Sequence, residues 1–216
     1  IGEAAFKDCT YLTEAKIHNK ITSIGKDAFG GCSAVNTLYI EDSDTPLPIG
    51  CSISGYEFTQ SPFYESPLTN IYLGRDLVLL DKEGNPMEAN NYYTGLLVTG
   101  FYDREDLIPH VTLGPKVTKI INYMFSYVRV PYMYIYPAIR EIGYRAFYKC
   151  PIFTGLSCNH TTPPTLDSNA FEGCENLTGV EIPESVTSVS RNAFSGCSSL
   201  TSIEIPDGVT SIERGA

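Results

Sequence analysis

The chain repeats one pattern of hydrophobic and polar positions from its first residues to its last. The cleanest copy is residues 193–206, AFSGCSSLTSIEIP, and residues 170–183 read AFEGCENLTGVEIP. Counted from the phenylalanine, cysteine or a hydrophobic residue recurs three, six, nine, eleven, fifteen and eighteen positions later. Self-similarity with a period of roughly 20 to 50 residues is typical of stacked-repeat proteins. The pattern therefore predicts a repeat architecture for the whole chain.

Eight phenylalanines mark the successive copies and predict about eight coils. They are spaced by 23, 34, 38, 24, 22, 24 and 23 residues, in the order Phe6, Phe29, Phe63, Phe101, Phe125, Phe147, Phe171 and Phe194. The two long spacings indicate insertions at about 41–62 and 81–98. We expect a single domain over residues 1–216 that opens and closes in mid-repeat, as a piece of a longer protein would.

One coil is expected to contain a short strand, a turn, a second extended stretch and a tight corner. The segment LTSIEIP alternates polar and β-branched residues, which suits a strand with one buried face, and Pro206 ends it. Asp207-Gly208 favours a turn, after which Val209 and Ile212 form the second stretch. The AFSGC segment then provides a helical turn or 3₁₀ corner.

The segments AFKDC, AFGGC, AFEGC and AFSGC, with IEIPDGVTSI and VEIPESVTSV, resemble the leucine-rich repeats, and most closely the 23-residue BspA-like subclass. The resemblance covers nearly the whole chain outside the insertions. It implies an α/β-type but predominantly β solenoid, right-handed, with parallel strands on a concave face. It also implies an extracellular or cell-surface protein of anaerobic bacteria or protists. Several proteins of this family bind host proteins.

Composition and charge narrow the possible partners. No apolar run approaches the roughly 18 to 20 residues that a membrane helix needs, so no direct membrane insertion is expected. The formal net charge of −10 argues against nucleic acid and anionic membranes, which are bound through Lys and Arg.

The seven cysteines follow the repeat rather than a metal-site spacing. Five of them lie three residues after a phenylalanine and are expected to be reduced and buried: Cys9, Cys32, Cys150, Cys174 and Cys197. Cys51 lies outside the period and is expected to be the exposed thiol.

The sequence offers no catalytic constellation and no cofactor or metal motif. His18, His110 and His160 fall in three different repeats, and no nucleophile elbow or metalloprotease motif is present. An acidic insertion could hold Ca²⁺, but neither insertion has the ligand spacing of a calcium loop, so a solvated loop is favoured. We therefore expect a protein that is not an enzyme.

The residue ten positions after each phenylalanine should point outward from the strand, because it lies between two inward residues. Allowing for one-residue shifts, this position and its neighbours form an aromatic group: Tyr39, Tyr72, Tyr132, Tyr134 and Tyr136. Glu181 and Glu204 give the same face an acidic end.

Several interpretations of this group remain open at the level of sequence. Tyrosine forms strands well and stabilises them through cross-strand contacts, so the group could be purely structural. Tyrosine is also enriched where proteins bind proteins, which predicts a protein partner, host or cell-surface. Aromatic platforms also stack on sugars, so a glycan remains possible, and a structural stalk is a further alternative.

Overall fold

The computed structural model describes residues 1–54, 57–58, 61–81, 83–87, 109–158, 164–182 and 186–216. Within these ranges the chain forms short strands and turns and no helix. The strands in chain order are β1 (Glu14–Ile17), β2 (Thr37–Ile40), β3 (Leu47–Gly50), β4 (Ile53–Ser54), β5 (Glu57–Phe58), β6 (Asn70–Leu73), β7 (Leu77–Leu80), β8 (His110–Leu113), β9 (Lys119–Ile120), β10 (Tyr132–Ile135), β11 (Glu141–Ile142), β12 (Gly155–Cys158), β13 (Thr165–Leu166), β14 (Ser188–Val189) and β15 (Ser211–Ile212).

The first strands of successive repeats pair in parallel. β1, β2, β6 and β8 form one sheet in that order, and β10 pairs with β12. β10 also lies beside β8, without a hydrogen-bonded ladder between them. Along β2 and β6 buried residues alternate with half-buried or exposed ones, so that Leu38 and Ile40 face the core while Tyr39 does not. The alternation read from the sequence is confirmed here.

The second extended stretches form a separate set of parallel ladders. β3 pairs with β7, β9 with β11 and β13, and β14 with β15. β4 and β5 form a short antiparallel pair, with Ile53 opposite Phe58. Because β3 occupies the place of the second stretch, most residues of the first insertion follow Gly50 and precede Phe63.

The phenylalanines that define the period stack on one another; those of the described inner repeats are buried, whereas Phe6 is 42% exposed and Phe194 is partly buried. Ring centroids lie 5.2 Å apart for Phe6 and Phe29, and 5.3 Å apart for Phe29 and Phe63. The same stacking joins Phe147 to Phe171 at 5.2 Å and Phe171 to Phe194 at 5.6 Å. Phe101 lies outside the described residues. Within the described residues the rings thus form two columns, Phe6 to Phe63 and Phe125 to Phe194, which explains why the phenylalanine is so regular a position.

The corners that carry these phenylalanines are turns with two left-handed residues, except the corner of Phe63, which has one at Glu65. Their φ angles lie between 50° and 77°, at the residues two before and two after the phenylalanine. Asn, Asp or Gly occupies many of these positions, as expected, because such residues tolerate this backbone at low cost. The corners also bond between repeats: the amide of Phe171 donates to the carbonyl of Ala193 at 2.9 Å, and Phe147 donates to Ala170 at 2.8 Å.

Two predicted strands do not form. Residues 178–182 and 201–206 lie in the cleanest copies of the pattern, yet neither segment is a strand. A parallel strand needs a paired neighbour, and Gly179 weakens the first of the two segments because glycine favours the unfolded chain. Without that neighbour the last repeat stays unpaired, and Ile203 and Ile205 remain 37% and 41% exposed. A largely apolar cavity of about 20 Å³, partly open to solvent, is lined by Val180 and Ile182 together with core residues such as Phe171.

The cysteine predictions were partly wrong. Cys32, Cys150 and Cys174 are buried as expected, but Cys9 is exposed and Cys197 only partly buried.

Cys51 is also buried, which contradicts the expectation of an exposed thiol. It directly follows β3, and its amide continues the β3–β7 ladder by donating to Leu80. Cys51 is therefore out of phase in the sequence but continues the regular ladder of second stretches in the structure.

Candidate binding site

The five tyrosines predicted from the strand offsets lie on or beside the first strands of their repeats. We call Tyr39, Tyr72, Tyr132, Tyr134 and Tyr136 the tyrosine face. Tyr39, on β2, lies opposite Tyr72, on β6, in the parallel register. Tyr132 and Tyr134 lie on β10, and Tyr136 directly follows that strand.

Tyr39 and Tyr72 form a stacked pair at one end of the face. Their ring centroids are 4.7 Å apart and their planes differ by 11°. The ammonium of Lys16, on β1, lies 5.5 Å from the centroid of Tyr39. One face of Tyr72 is thus covered by Tyr39, and Lys16 covers Tyr39 in turn, so only the other face of Tyr72 is available.

A hydrogen bond fixes the position of the Tyr72 ring. Its hydroxyl donates to Oδ1 of Asp42 at 2.8 Å, across 30 residues of chain. Burial, together with this bond and the charge of Asp42, raises the pKa of Tyr72 to about 12. A Cβ built on Gly114 would lie 2.7 Å from the Tyr72 hydroxyl and 2.6 Å from Asp42 Oδ1. The hydrogen bond between Tyr72 and Asp42 therefore requires glycine at position 114, because a side chain there would meet both groups.

The other end of the face is more exposed. Tyr132 and Tyr134 are 51% and 44% exposed, the largest exposures among these five residues. Tyr134 packs edge-on against Tyr136, with centroids 5.1 Å apart and planes at 88°. Tyr132 lies opposite Gly155 of β12 in register, so no side chain covers it from that neighbour.

Between these two ends, Thr112 of β8 takes the strand position that tyrosine takes in the neighbouring repeats. It is the register partner of Tyr72 on β8, and it is exposed. No ring contact joins Tyr72 to Tyr134 or to Tyr136, all of which the structure describes. The charge of Tyr136 nevertheless contributes to the raised pKa of Tyr72, after burial and Asp42. The two tyrosine groups therefore lie on neighbouring parts of the same side of the repeats without a ring contact between them.

A second aromatic group lies at the corners of the repeats of Phe125 and Phe147. The guanidinium of Arg145 is 4.5 Å from the ring centroid of Tyr148 and 3.6 Å from a carboxylate oxygen of Glu172. Lys149 lies 5.3 Å from the same ring, and Tyr127 meets Tyr148 edge-on. Tyr148 is buried, and these cations are engaged by neighbouring rings and a carboxylate, so the group stabilises the corners.

The sequence did not indicate the role of Arg75. This side chain is only 1% exposed and its guanidinium donates to backbone carbonyls of the first repeat, at 2.9 Å to Ile21, with longer bonds to His18 and Asn19. Burial lowers the pKa of Arg75 from its ordinary value. No periodic signal marks it, because a single arginine after a strand is usually solvated.

The histidines and acidic residues form no catalytic or metal centre in the described part of the chain. His18 directly follows β1 and accepts a hydrogen bond from the amide of Lys20. His110 lies exposed on β8, three strands away from β1 in the same sheet. His160 lies outside the described residues. Within them, no group of three His, Cys, Asp or Glu side chains could hold a metal ion. Within the described residues, no helix is long and apolar enough to cross a membrane.

Comparisons with known proteins agree on the type of repeat. A family model for the BspA type leucine rich repeat region matches in six copies, over residues 1–82 and 99–216. Among curated proteins nothing matches.

Two solved structures are similar to the whole chain. One is a leucine rich cell surface protein from Faecalibacterium prausnitzii A2-165, with 20% identity and a TM-score of 0.35. The other is a leucine-rich repeat protein from Eubacterium ventriosum ATCC 27560, with 18% identity and a TM-score of 0.40. The chain covers 63% of the first structure and 79% of the second, and thus spans less than two thirds of the first.

Proposed function

Since the chain belongs to the BspA-type leucine-rich repeat family, we propose that it is a non-catalytic interaction module that binds a protein partner through the tyrosine face. The observation that carries the proposal is the exposure of Tyr132 and Tyr134 next to the fixed ring of Tyr72. Tyr supplies a large contact area with few rotatable bonds, which lowers the entropic cost of binding. The partner is a host extracellular protein or another cell-surface protein.

The proposed architecture is a right-handed solenoid of about eight coils in one domain, residues 1–216, with the tyrosine face on its concave side. Parallel pairing of first strands from successive repeats supports it, as do the columns of phenylalanine rings. A curved sheet would bring outward residues of neighbouring strands towards one ligand. The same family resemblance supports secretion or attachment to the cell surface.

The separation of the two described histidines supports a role without catalysis, since His18 follows β1 and His110 lies on β8. Nucleophilic and acid–base catalysis need side chains within hydrogen-bond reach of each other. The buried thiols bond to backbone carbonyls, as Cys150 does to Phe125, and burial raises the pKa of Cys150. A thiol with a raised pKa is a poor nucleophile at neutral pH.

The test uses the protein as bait in two parallel assays. One assay presents purified host extracellular proteins, and the other presents a glycan array. Saturable binding to a purified protein supports the proposal, whereas binding to glycans alone replaces it with a glycan-binding module. The absence of binding in both assays overturns it in favour of a structural stalk.

A further inference from the structure

We propose that the tyrosine face binds an extended segment of the protein partner that carries an arginine, and that this arginine lies between Tyr132 and Glu181. The inference rests on the proposed function, since it names the chemistry of the partner that the tyrosine face recognises. It concerns the part of the face that runs from β10 towards the last repeats. Its basis is an exposed ring, a carbonyl oxygen beside that ring and unpaired carboxylates in the neighbouring repeats.

The ring of Tyr132 is open to solvent because the next two repeats place glycine beside it. Tyr132 is 51% exposed and lies opposite Gly155 in the ladder of β10 and β12. The following repeat continues this row with Gly179, because the amide of Thr178 donates to the carbonyl oxygen of Thr154 at 3.1 Å. A Cβ on Gly179 would meet nothing within 4 Å. Neither glycine has a side chain that could cover the ring, so Tyr132 keeps an accessible side.

A backbone carbonyl oxygen lies close to this ring. A Cβ built on Gly155 would lie 2.8 Å from the oxygen of Gly179 and 4.0 Å from Cε2 of Tyr132, so this oxygen and Cε2 are at most about 6.8 Å apart. Within the described residues, no backbone amide donates a hydrogen bond to that oxygen. A planar cation stacked about 3.5 to 4 Å above a ring can donate to an acceptor about 2.9 Å away, which fits this spacing.

The last repeats supply negative charge that no nearby cation neutralises. Residues 150–216 contain eight acidic and two basic side chains, a net charge of −6 out of −10 for the chain. Glu181 and Glu204 are exposed, and neither forms an ion pair or a side-chain hydrogen bond with any residue that the structure describes. The two basic side chains, Arg191 and Arg214, lie in corner turns. A basic partner would therefore complement this part of the face.

Glu181 is held on the outward side by the residues before and after it. Val180 and Ile182 are half-buried and line the small apolar cavity together with Ile135 of β10. Glu181 also borders this cavity, which is partly open to solvent, and is itself exposed. Because burial alternates along this segment, Glu181 points to the same side as the tyrosine face.

Arginine suits this combination better than lysine does. Its guanidinium is planar, stacks on aromatic rings and carries five donors in a fixed geometry, whereas an ammonium acts as a point charge. One guanidinium can lie over Tyr132, donate to the carbonyl oxygen of Gly179 and pair with the carboxylate of Glu181. An apolar residue would leave the carboxylate unpaired, and an acidic residue would be repelled.

The chain already uses this combination once within its own fold. The guanidinium of Arg145 lies 4.5 Å from the ring centroid of Tyr148 and 3.6 Å from a carboxylate oxygen of Glu172. In that group a tyrosine and a glutamate from successive repeats hold one arginine. Tyr132 and Glu181 offer the same two side-chain types on the outward face without an arginine of this chain between them.

The test uses three synthetic peptides, each made of three copies of Gly-Ser-X, in which X is arginine, lysine or citrulline. Citrulline keeps the shape of arginine but carries no charge. Each peptide carries a fluorophore, and its binding to the full chain is measured by fluorescence anisotropy at about 0.15 M salt, where long-range charge effects are screened. We expect saturable binding of the arginine peptide, weaker binding of the lysine peptide, and binding of the citrulline peptide at least 10-fold weaker.

Two pairs of variants locate the bound arginine. Glu181→Gln and Tyr132→Ala should each weaken binding of the arginine peptide at least 5-fold. Their matched controls are Glu175→Gln, which removes the same charge from an exposed turn, and Tyr132→Phe, which keeps the ring; both should stay within 2-fold of the unmodified protein. Circular dichroism and the thermal midpoint establish that each variant is folded. If Tyr132→Ala does not fold, Glu181→Gln at its exposed position decides the matter.

The proposal is overturned if the arginine peptide shows no saturable binding, or if the lysine or citrulline peptide binds as tightly. It is also overturned if Glu181→Gln and Glu175→Gln weaken binding equally, since that result would reflect net charge alone. A folded Tyr132→Ala variant with unchanged affinity would overturn it as well.

A second arm separates this inference from the proposed function. The purified protein partner found with the bait assays is tested against the same variants. Affinity that falls with Glu181→Gln but not with Glu175→Gln supports the arginine site. Affinity that falls with Tyr72→Ala combined with Tyr134→Ala, but not with Glu181→Gln, keeps the proposed function and overturns the arginine site alone. The peptide assay needs no partner, so its result stands even if the proposed function fails.

Discussion

The thiol of Cys174 donates a hydrogen bond of 2.9 Å to the carbonyl oxygen of Phe147, one repeat earlier in the chain. The same bond recurs from Cys150 to Phe125 at 2.9 Å and from Cys32 to Phe6 at 3.0 Å. A thiol that donates is protonated, and its sulfur is not part of a disulfide. The cysteines thus tie neighbouring corners together without a covalent bond.

Alkylation should therefore separate the cysteines by exposure. We expect a thiol reagent to modify Cys9 first in the native protein, and Cys150 and Cys174 only after unfolding. All seven cysteines should react in denaturant without a reducing agent, as counted by mass spectrometry. Cys9→Ser should abolish the fast native reaction. Fewer than seven modified thiols after unfolding would reveal a disulfide and contradict this account.

Alkaline pH should destabilise the protein through Cys51. Burial raises the pKa of this thiol to about 12, whereas the unfolded chain titrates near 8.5. Between these values the unfolded state releases its proton first, so the free energy of unfolding falls as pH rises from about 9 towards 12. Urea denaturation at pH 8 and 10.5 should show about 2 kcal/mol less pH dependence for Cys51→Ala than for the unmodified protein. Parallel pH profiles for the two proteins would contradict the assignment.

Removing a ring from a phenylalanine column should destabilise the neighbouring repeats most. Phe171 is fully buried between Phe147 and Phe194, so Phe171→Ala should cost about 3 to 5 kcal/mol. Phe194 is only partly buried, and Phe194→Ala should cost less. Hydrogen exchange should lose protection around Phe147 to Phe194 and retain it near Phe29. Uniform loss along the chain would show that the repeats unfold as one unit.

Gly114 should be intolerant of substitution because it lies beneath the bond between Tyr72 and Asp42. In Gly114→Ala the new methyl group would meet both side chains and lie 2.9 Å from the Cα of Gly74. We expect a loss of about 1 to 3 kcal/mol in thermal or urea unfolding, as for other overpacked sites. Gly2→Ala is the matched control, since nothing lies within 4 Å of its added Cβ. Equal stability of the two variants would show that Tyr72 can move freely.

The tyrosine face should be separable from the fold. The variant Tyr72→Ala with Tyr134→Ala should remain folded, with a stability loss of about 1 kcal/mol from the pair with Tyr39. Its affinity for the protein partner should fall by about 2 kcal/mol or more if these rings are central to the interface. Tyr11→Ala is the control, because Tyr11 is 97% exposed and lies off the face. A folded double variant with unchanged affinity would move the site towards Glu181 and Glu204.

The repeat pattern predicted local structure well where neighbouring copies are regular. The alternation of buried and outward residues in β2 and β6 follows directly from the amino-acid sequence, and so does the stacking of Phe29 on Phe63. Such features need only a short-range pattern and a constant period. They could therefore be read without knowledge of how distant segments meet.

Other features depend on contacts that no period encodes. Asp42 lies in the irregular segment that follows β2, which in the sequence resembles a solvated loop, and its bond to Tyr72 forms only when β2 and β6 are side by side. Cys51 was misjudged because the insertion shifted it out of phase, although β3 restores the ladder just before it. The strands predicted in 178–182 and 201–206 failed for a related reason, since a good strand sequence still needs a neighbour that pairs.

Arg75 has a consequence for the inheritance of repeats. Most contacts link one repeat to the next, and an array built in that way can gain or lose single units by recombination. The guanidinium of Arg75, however, belongs to the repeat of Phe63 and bonds to Ile21 in the repeat of Phe6, passing over the repeat between them. Deletion of either partner repeat alone would leave a buried cation or a buried carbonyl without its partner. Genetic exchange within this region would therefore be expected to preserve these three repeats as a single block.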